Sequence, residues 1–281
     1  MKLKLIVAAL GLVASASSFA LIPQVSTVGG GNLFLAVYEQ GAANGAPDQS
    51  FTLDLGINTD TFYANRASFQ NWATLTASTD AIWAQFLATS YLPALQFAVI
   101  GAKSTPTSTN AAVASAVFST VTLGNEASVV GATAAAQNSN SQLSSMIAGT
   151  INGYTQEVSG TGTHVTQNGG ESMNVIGSDG YFQTKNMAAF NSTLKYTNNN
   201  AVGSAPVEFT QLYRSPVGSG KALQAVQAGS VSFVQSGGDY VLTYGANLAS
   251  PVTPVPEAST YALLLSGLGA LGFVARRRKQ K

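Results

Sequence analysis

The sequence predicts an α+β body whose sheet is mainly antiparallel and carries two or three helices packed on one side. Three observations support this class. Short strand-like segments recur between residues 33 and 244, with Gly and Asn residues punctuating them. Two segments show the wider apolar spacing that is typical of helices. The last two strand-like segments flank a short Gly-rich turn, which favours antiparallel pairing.

The first two strands are expected to form a hairpin with a long loop. The run Leu33–Tyr38 is almost continuously apolar, which indicates a strand buried on both faces. Residues 41–49 contain Gly, Pro and Asp in the positions between the strands, and these residues favour turns. In residues 51–55, apolar side chains alternate with Thr52 and Asp54, so a half-buried strand is expected there.

Two helices are expected in the middle of the body. The first would be capped by Thr79 and end near Pro93, since apolar side chains recur four residues apart within it. Residues 111–121 are compatible with either a helix or a strand. A second helix would be capped by Asn125 and run to about Gly149.

The remaining strands are expected where β-forming residues alternate between turns. The clearest hairpin joins residues 230–235 to residues 239–244 through the turn 236–238. Another hairpin is expected around the turn 177–180. Further strands are expected at residues 95–99, 173–175, 181–182 and 207–209.

The composition of the body limits the classes of function. Residues 21–250 contain six basic and eleven acidic residues, a net charge of −5, so the +1 of the whole chain comes from its two ends. Nucleic-acid binding depends on clustered Lys and Arg, and is therefore not expected. Because the chain has no cysteine, packing alone must hold the body together.

The body contains few candidates for catalysis or for cofactor binding. His164 is the only histidine, which together with the absence of cysteine argues against cysteine nucleophiles and His-clustered metal sites. No G-x-S-x-G nucleophile motif is present. The glycine-rich stretches 29–31 and 160–162 lack the lysine and spacing of a phosphate loop. We expect no enzymatic activity, no cofactor and no metal.

Two other classes of function remain open. A pair of the body's acids would suit a carbohydrate-active hydrolase if their carboxyl groups faced a common cleft. Trp72, Trp83 and the tyrosines would suit a glycan-binding module if they formed an exposed platform, although Trp83 lies on an apolar helical stripe that favours the core. Asp179 and Glu171 would be the acids nearest to a calcium site, but turn chemistry explains Asp179 equally well.

The N-terminus has the three parts of a secretory signal peptide. Lys2 and Lys4 form a positive start, and Leu5–Val13 form a short apolar segment. A small-x-small site, Ser18-Phe19-Ala20, follows and ends at Ala20, and Ala14-Ser15-Ala16 is an earlier option. We therefore expect residues 1–20 to be removed during export.

The C-terminus has three parts that together predict a sorting tail. An apolar segment, residues 258–275, carries no charge and lies at the short end of the length needed to span a bilayer. Basic residues stay on the cytoplasmic side, so the body is expected outside and the C-terminus inside. The segment is preceded by the motif Val255, Pro256, Glu257, Ala258 and Ser259, and followed by the basic stop Arg276, Arg277, Arg278 and Lys279.

This tail resembles the PEP-CTERM sorting signal of exopolysaccharide-producing Gram-negative bacteria. Val255, Pro256, Glu257 and Ser259 stand in the expected order, whereas Ala258 replaces the second proline of that signal. The resemblance implies that an exosortase, an integral membrane cysteine protease or transpeptidase, recognises the motif and cuts near it. The protein would then be a substrate of that enzyme, released from the membrane into the cell envelope or the extracellular matrix.

The chain is therefore expected to divide into four parts. These are the signal peptide 1–20, the exported body 21–249, the linker and sorting motif 250–257, and the transmembrane helix with its basic tail 258–281. The function expected of the body is a structural or adhesive role in exopolysaccharide or biofilm. Its expected partners are the exosortase, the membrane before processing, and exopolysaccharide; the body itself resembles no characterised family.

Overall fold

The computed structural model describes residues 30–41, 47–68, 70–104, 115–125, 140–158, 166–168, 170–183, 190–194, 197–213 and 223–245. The chain divides into two compact units, residues 1–248 and 249–281, and every described residue belongs to the first. Within the described part, no helix is both long enough and apolar enough to cross a membrane.

The described residues form an antiparallel sheet with helices, an α+β body as expected. The sheet order is β3-β11-β10-β9-β5-β4-β1-β2-β7-β6, and β8 pairs with β4 beside this path. The sheet curls into a half-barrel. Its strands are β1 Asn32–Glu39, β2 Gln49–Asn58, β3 Gln70–Leu75, β4 Leu95–Ser104, β5 Ser115–Thr120, β6 Thr166–Asn168, β7 Glu171–Val175, β8 Asn200–Ala201, β9 Val207–Tyr213, β10 Gln224–Ser236 and β11 Asp239–Gly245.

Strand β1 has one apolar cluster on each of its faces, because successive side chains of a strand point to opposite sides. Leu33, Leu35 and Val37 belong to the cluster on the face that we call inner. Phe34 and Tyr38 belong to the cluster on the other face, which we call outer. The prediction that this strand is buried on both faces is confirmed.

Helices cover both faces of the sheet, so the prediction that they pack on one side is wrong. Helices α1 (Thr59–Asn65) and α2 (Ala81–Thr89) contribute Phe62, Trp83 and Phe86 to the inner cluster. A helical segment, residues 140–156, contributes to the outer cluster instead. A sheet whose central strands are apolar on both faces requires cover on both faces.

The outer helical segment is divided into three parts. It consists of α3 (Asn140–Ser145), a π-helical stretch (Met146–Ile151) and α4 (Asn152–Gln156). It therefore continues past Gly149, where the sequence pattern placed its end, because Ile151 and Tyr154 still bury apolar surface against the sheet. The expected beginning of this helix, residues 126–139, lies outside the described residues.

Several local predictions are confirmed. The β1–β2 and β10–β11 hairpins pair antiparallel as expected, and strands occur at residues 95–99 and 207–209. The ambiguous segment 111–121 contains the strand β5. The long loop of the first hairpin includes residues 42–46, which lie outside the described part.

Three local predictions are wrong. Residues 181–182 do not form a strand, so β7 pairs with β2 and β6 and makes no hairpin through the turn 177–180. Thr79 does not cap α2: its hydroxyl donates to the Thr76 carbonyl, and Asp80 is the cap. Strand β2 is fully buried at Thr52, because the outer helical segment covers that position.

Candidate functional site

The residues predicted for sorting lie outside the described part of the chain. This applies to the motif residues Val255, Pro256, Glu257, Ala258 and Ser259, to the basic stop Arg276, Arg277, Arg278 and Lys279, and to Ala20. His164 and the stretch 160–162 lie outside it as well. The site whose geometry can be described is therefore in the body, and it is a pair of carboxyl groups that sequence reasoning did not bring together.

The carboxyl pair consists of Asp80 and Glu171. Asp80 precedes α2, and its Oδ1 accepts a hydrogen bond from the backbone N–H of Trp83 at 2.8 Å. Asp is among the residues that best cap a helix, and its negative charge suits the positive end of the helix dipole. The cap therefore fixes the Asp80 side chain at the start of α2.

Glu171, the second acid of the pair, is the first residue of β7. It lies opposite Leu53 of β2, a residue that packs against the inner cluster, so its side chain shares that inner face with α2. Asp80 is the neighbouring acid that acts on the Glu171 carboxyl group.

The surroundings of Glu171 favour its protonated form. Burial raises the pKa of this carboxyl group to about 8, and the hydrogen bond to Asp80 and the charge of Asp80 act in the same direction. A carboxyl group next to a second carboxyl group commonly keeps its proton for this reason. Glu171 therefore keeps its proton to a higher pH than an ordinary glutamate does.

Two other acids of the body are held by backbone N–H groups. Glu39 is fully buried and accepts hydrogen bonds from the backbone N–H groups of Gln49, at 3.2 Å, and Tyr91. Asp54 accepts from the backbone N–H of Gly56 at 2.9 Å and from Asn32 Nδ2 at 3.0 Å. Burial raises the pKa of both carboxyl groups, and these hydrogen bonds partly offset it. Through these hydrogen bonds, Glu39 and Asp54 fix the backbone of nearby loops and strand ends.

The remaining acids and bases do not add to the carboxyl pair. Lys103 is buried and forms an ion pair with Asp60 at the start of α1. Asp179 lies in the turn after β7, whereas Glu171 is the first residue of that strand, at its other end. Within the described residues, no group of three or more His, Cys, Asp or Glu is arranged to hold a metal ion.

The tryptophans are part of the inner cluster. Trp83 is fully buried, which confirms the expectation that it packs in the core. Trp72 is 7% exposed and stacks on Tyr244 with ring centroids 4.7 Å apart. Neither side chain forms an exposed surface on which a sugar ring would stack.

The two acids of the carboxyl pair come from different parts of the body, the start of α2 and the start of β7. Sequence reasoning missed the pair because the two residues are far apart in the chain and neither belongs to a motif.

Comparison with known proteins assigns only the C-terminal part of the chain. Residues 254–279 match the family model of the PEP-CTERM protein-sorting motif. The chain therefore carries that motif, and the motif marks it as an exported protein that an exosortase processes through a membrane-anchored intermediate. No curated protein and no solved structure matches the chain.

Proposed function

We propose that this protein is a non-enzymatic structural or adhesive component of the cell envelope or exopolysaccharide matrix of a Gram-negative bacterium, with a role in biofilm. The observation that carries the proposal is the sorting motif at residues 254–279. In this proposal, residues 1–20 are removed as a signal peptide and residues 258–275 hold the intermediate in the inner membrane. Exosortase processing then delivers the body to the outer surface or the matrix.

The body has properties that suit such a location. It has a net charge of −5 and takes its polarity mainly from Ser, Thr, Asn and Gln, so it is solvated without strong electric fields. Four of the described acids are engaged in helix capping, in loop hydrogen bonds or in an ion pair: Asp80, Glu39, Asp54 and Asp60. These observations support a passive role more than a catalytic one.

Deletion of the gene tests the proposed role. We expect the deletion strain to aggregate less and to retain less exopolysaccharide, and the full-length gene to restore both. A gene that lacks codons 254–281 serves as the delivery control and should fail to restore them. Unchanged aggregation and matrix content in the deletion strain would contradict the proposal.

The hydrolase alternative has a separate test. The purified protein would be incubated with the host's exopolysaccharide, and the release of reducing ends measured. We expect no release. Release that is lost in both Asp80→Asn and Glu171→Gln would contradict the non-enzymatic proposal and would make the carboxyl pair the active site.

A further inference from the structure

Neighbouring strands of the sheet run in opposite directions, so strand beginnings and strand ends meet at each end of the half-barrel. We call one of these ends distal. Strands β1 and β7 end there at Glu39 and Val175, and β4 begins there at Leu95. The last strand, β11, begins at the distal end and runs away from it to Gly245. Strand β11 therefore directs the chain away from the distal end before the sorting motif.

Four large apolar side chains are exposed at the distal end. They belong to Tyr91, Leu92, Leu123 and Ile176, and each is at least 42% exposed. Among the described residues, the other exposed large apolar side chain is that of Val226, near the start of β10 and away from the distal end. Single exposed apolar side chains are ordinary on a protein surface, whereas a contiguous group of them marks an interaction site.

Hydrogen bonds near the start of β2 connect the segments that carry Tyr91 and Ile176. The Tyr91 backbone N–H donates to one oxygen of the buried Glu39 carboxylate, and the Gln49 backbone N–H donates to the other at 3.2 Å. Ile176 directly follows β7, and its backbone N–H donates to the carbonyl of Asp48 at 2.8 Å. The two exposed side chains therefore lie on neighbouring segments of the distal end.

Leu123 is connected to the same group through β8. Its backbone N–H donates to Asn200 Oδ1 at 3.0 Å, and Asn200 pairs with Phe97 near the start of β4. The short 3-10 turn Leu92–Ala94 leads directly into that start. The four exposed side chains therefore follow one path along the distal end, which we call the distal rim: Ile176, Tyr91, Leu92 and Leu123.

The acidic residues of the turns give the distal end a negative character. Asp48 precedes β2, Asp179 follows β7 and Asp239 begins β11, and none of the three is buried. Within the described part of the chain, the basic residues are Arg66, which follows α1, and Lys103, near the end of β4 away from the distal end. An apolar rim flanked by acids is complementary to apolar side chains flanked by bases, and it disfavours a second copy of the same end.

We propose that the distal rim is the docking site for another protein that presents apolar side chains flanked by Lys or Arg. The apolar part of such a partner would cover the four exposed side chains, and its bases would face the acids of the surrounding turns. The proposal names a protein partner, which the proposed role in the matrix does not include. It stands independently of that role.

Binding of two synthetic peptides to the protein purified from its host tests the proposal. The peptides share their length and their spacing of leucines, and one carries lysines where the other carries glutamates. The measured quantity is the dissociation constant, obtained from the fluorescence anisotropy of the labelled peptide. Because opposite charges across an interface favour binding and like charges oppose it, we expect the lysine peptide to bind about tenfold more tightly than the glutamate peptide.

The decisive variant replaces two side chains of the distal rim together, Leu92→Ser and Ile176→Ser. We expect it to bind the lysine peptide about tenfold more weakly than the wild type, because it loses apolar contacts of the rim. Val226→Ser is the matched control, since it removes a similarly exposed apolar side chain away from the rim and should leave the affinity unchanged. Asp48→Asn combined with Asp179→Asn should weaken binding of the lysine peptide and reduce its dependence on salt.

Urea denaturation checks that each variant folds as the wild type does. Ile176→Ser alone, at the most exposed side chain of the rim, keeps the test valid if the double variant does not fold. An equal loss of affinity in the rim variant and in Val226→Ser would overturn the proposal, as would equal affinities for the two peptides. Failure of the lysine peptide to bind at about 1 mM would overturn it as well.

Discussion

The inner and outer faces of the sheet are stabilised in different ways. On the inner face, Phe62 is surrounded by the rings of Trp72, Phe118, Phe209 and Tyr244, with centroids 5.1–5.8 Å apart and all four pairs edge-to-face. Aromatic pairs in this arrangement contribute beyond the area they bury. The stability of the inner face therefore depends on how closely these rigid rings fit together.

The outer face of β2 and β7 depends more on hydrogen bonds. Four side chains on this outer face are small and polar, yet fully or almost fully buried: Ser50, Thr52, Ser172 and Asn174. Tyr154 of the outer helical segment bonds to Thr52, but the buried Tyr38 hydroxyl has no hydrogen-bond partner among the described residues. We therefore expect cavities to lower the stability most on the inner face. On the outer face, we expect the stability to depend on whether each buried polar group has a hydrogen-bond partner.

The largest effect is expected for Phe62→Ala. Removal of this buried ring leaves a cavity among four other rings and should lower the free energy of unfolding by about 3–5 kcal/mol. Urea denaturation followed by circular dichroism measures the change. Tyr91→Ala is the matched control, because the Tyr91 side chain is 42% exposed and its loss should cost only about 0.5 kcal/mol. Equal losses in the two variants would contradict the inner-face account.

The next effect concerns Gly229, at a bulge in β10. A Cβ at this position would lie 2.5 Å from the Tyr244 ring, and that buried ring cannot move without disturbing its neighbours. Gly229→Ala should therefore cost about 1–3 kcal/mol. Gly149→Ala is the control, since a Cβ there meets no described atom within 4 Å and alanine favours a helix. The account fails here if Gly229→Ala is as well tolerated as Gly149→Ala.

On the outer face, Tyr154→Phe should have a smaller effect. The substitution keeps the ring and leaves the buried Thr52 hydroxyl without its partner, at a cost of about 1–2 kcal/mol. Thr52→Val in the same chain should recover part of that loss, because both polar groups are then gone. An additive double variant would show that the bond contributes nothing.

The smallest effect is expected for Tyr38→Phe, the counterpart of Tyr154→Phe on the same face. The Tyr38 hydroxyl is buried without a partner in the described part of the chain, so its removal should leave the stability within about 0.5 kcal/mol or raise it. The same urea titration measures it. A loss as large as that of Tyr154→Phe would mean that the Tyr38 hydroxyl has a stabilising partner, and the contrast between the two tyrosines would fail.

The elements that could be predicted are those with a strong local pattern. The continuous apolar run of β1 and the Gly-rich turn between β10 and β11 led to the correct strands. The placement of helices on both faces could not be predicted, because strand periodicity shows that both faces are buried without showing what covers them. Thr52 illustrates this, since its polar side chain indicated solvent but is covered by Tyr154.

The sorting motif and the carboxyl pair also differ in how far a local sequence pattern identifies them. The sorting motif is a contiguous stretch that sequence alone identifies, and the family match at residues 254–279 confirms it. The carboxyl pair arises only when β7 pairs with β2 and brings Glu171 to the start of α2. The Asp80 cap was within reach of sequence reasoning, since Asp is as good an N-cap as Thr, but its partner was not.

Intact-mass analysis of the protein from its host and from an exosortase-deficient host tests the central claim most directly. The account predicts a mature chain that begins near Leu21 and ends near Glu257 in the host, and a chain that keeps its basic tail in the deficient strain. An intact C-terminus in both strains would contradict exosortase processing, and would indicate that Ala258, in place of the usual proline, prevents cleavage.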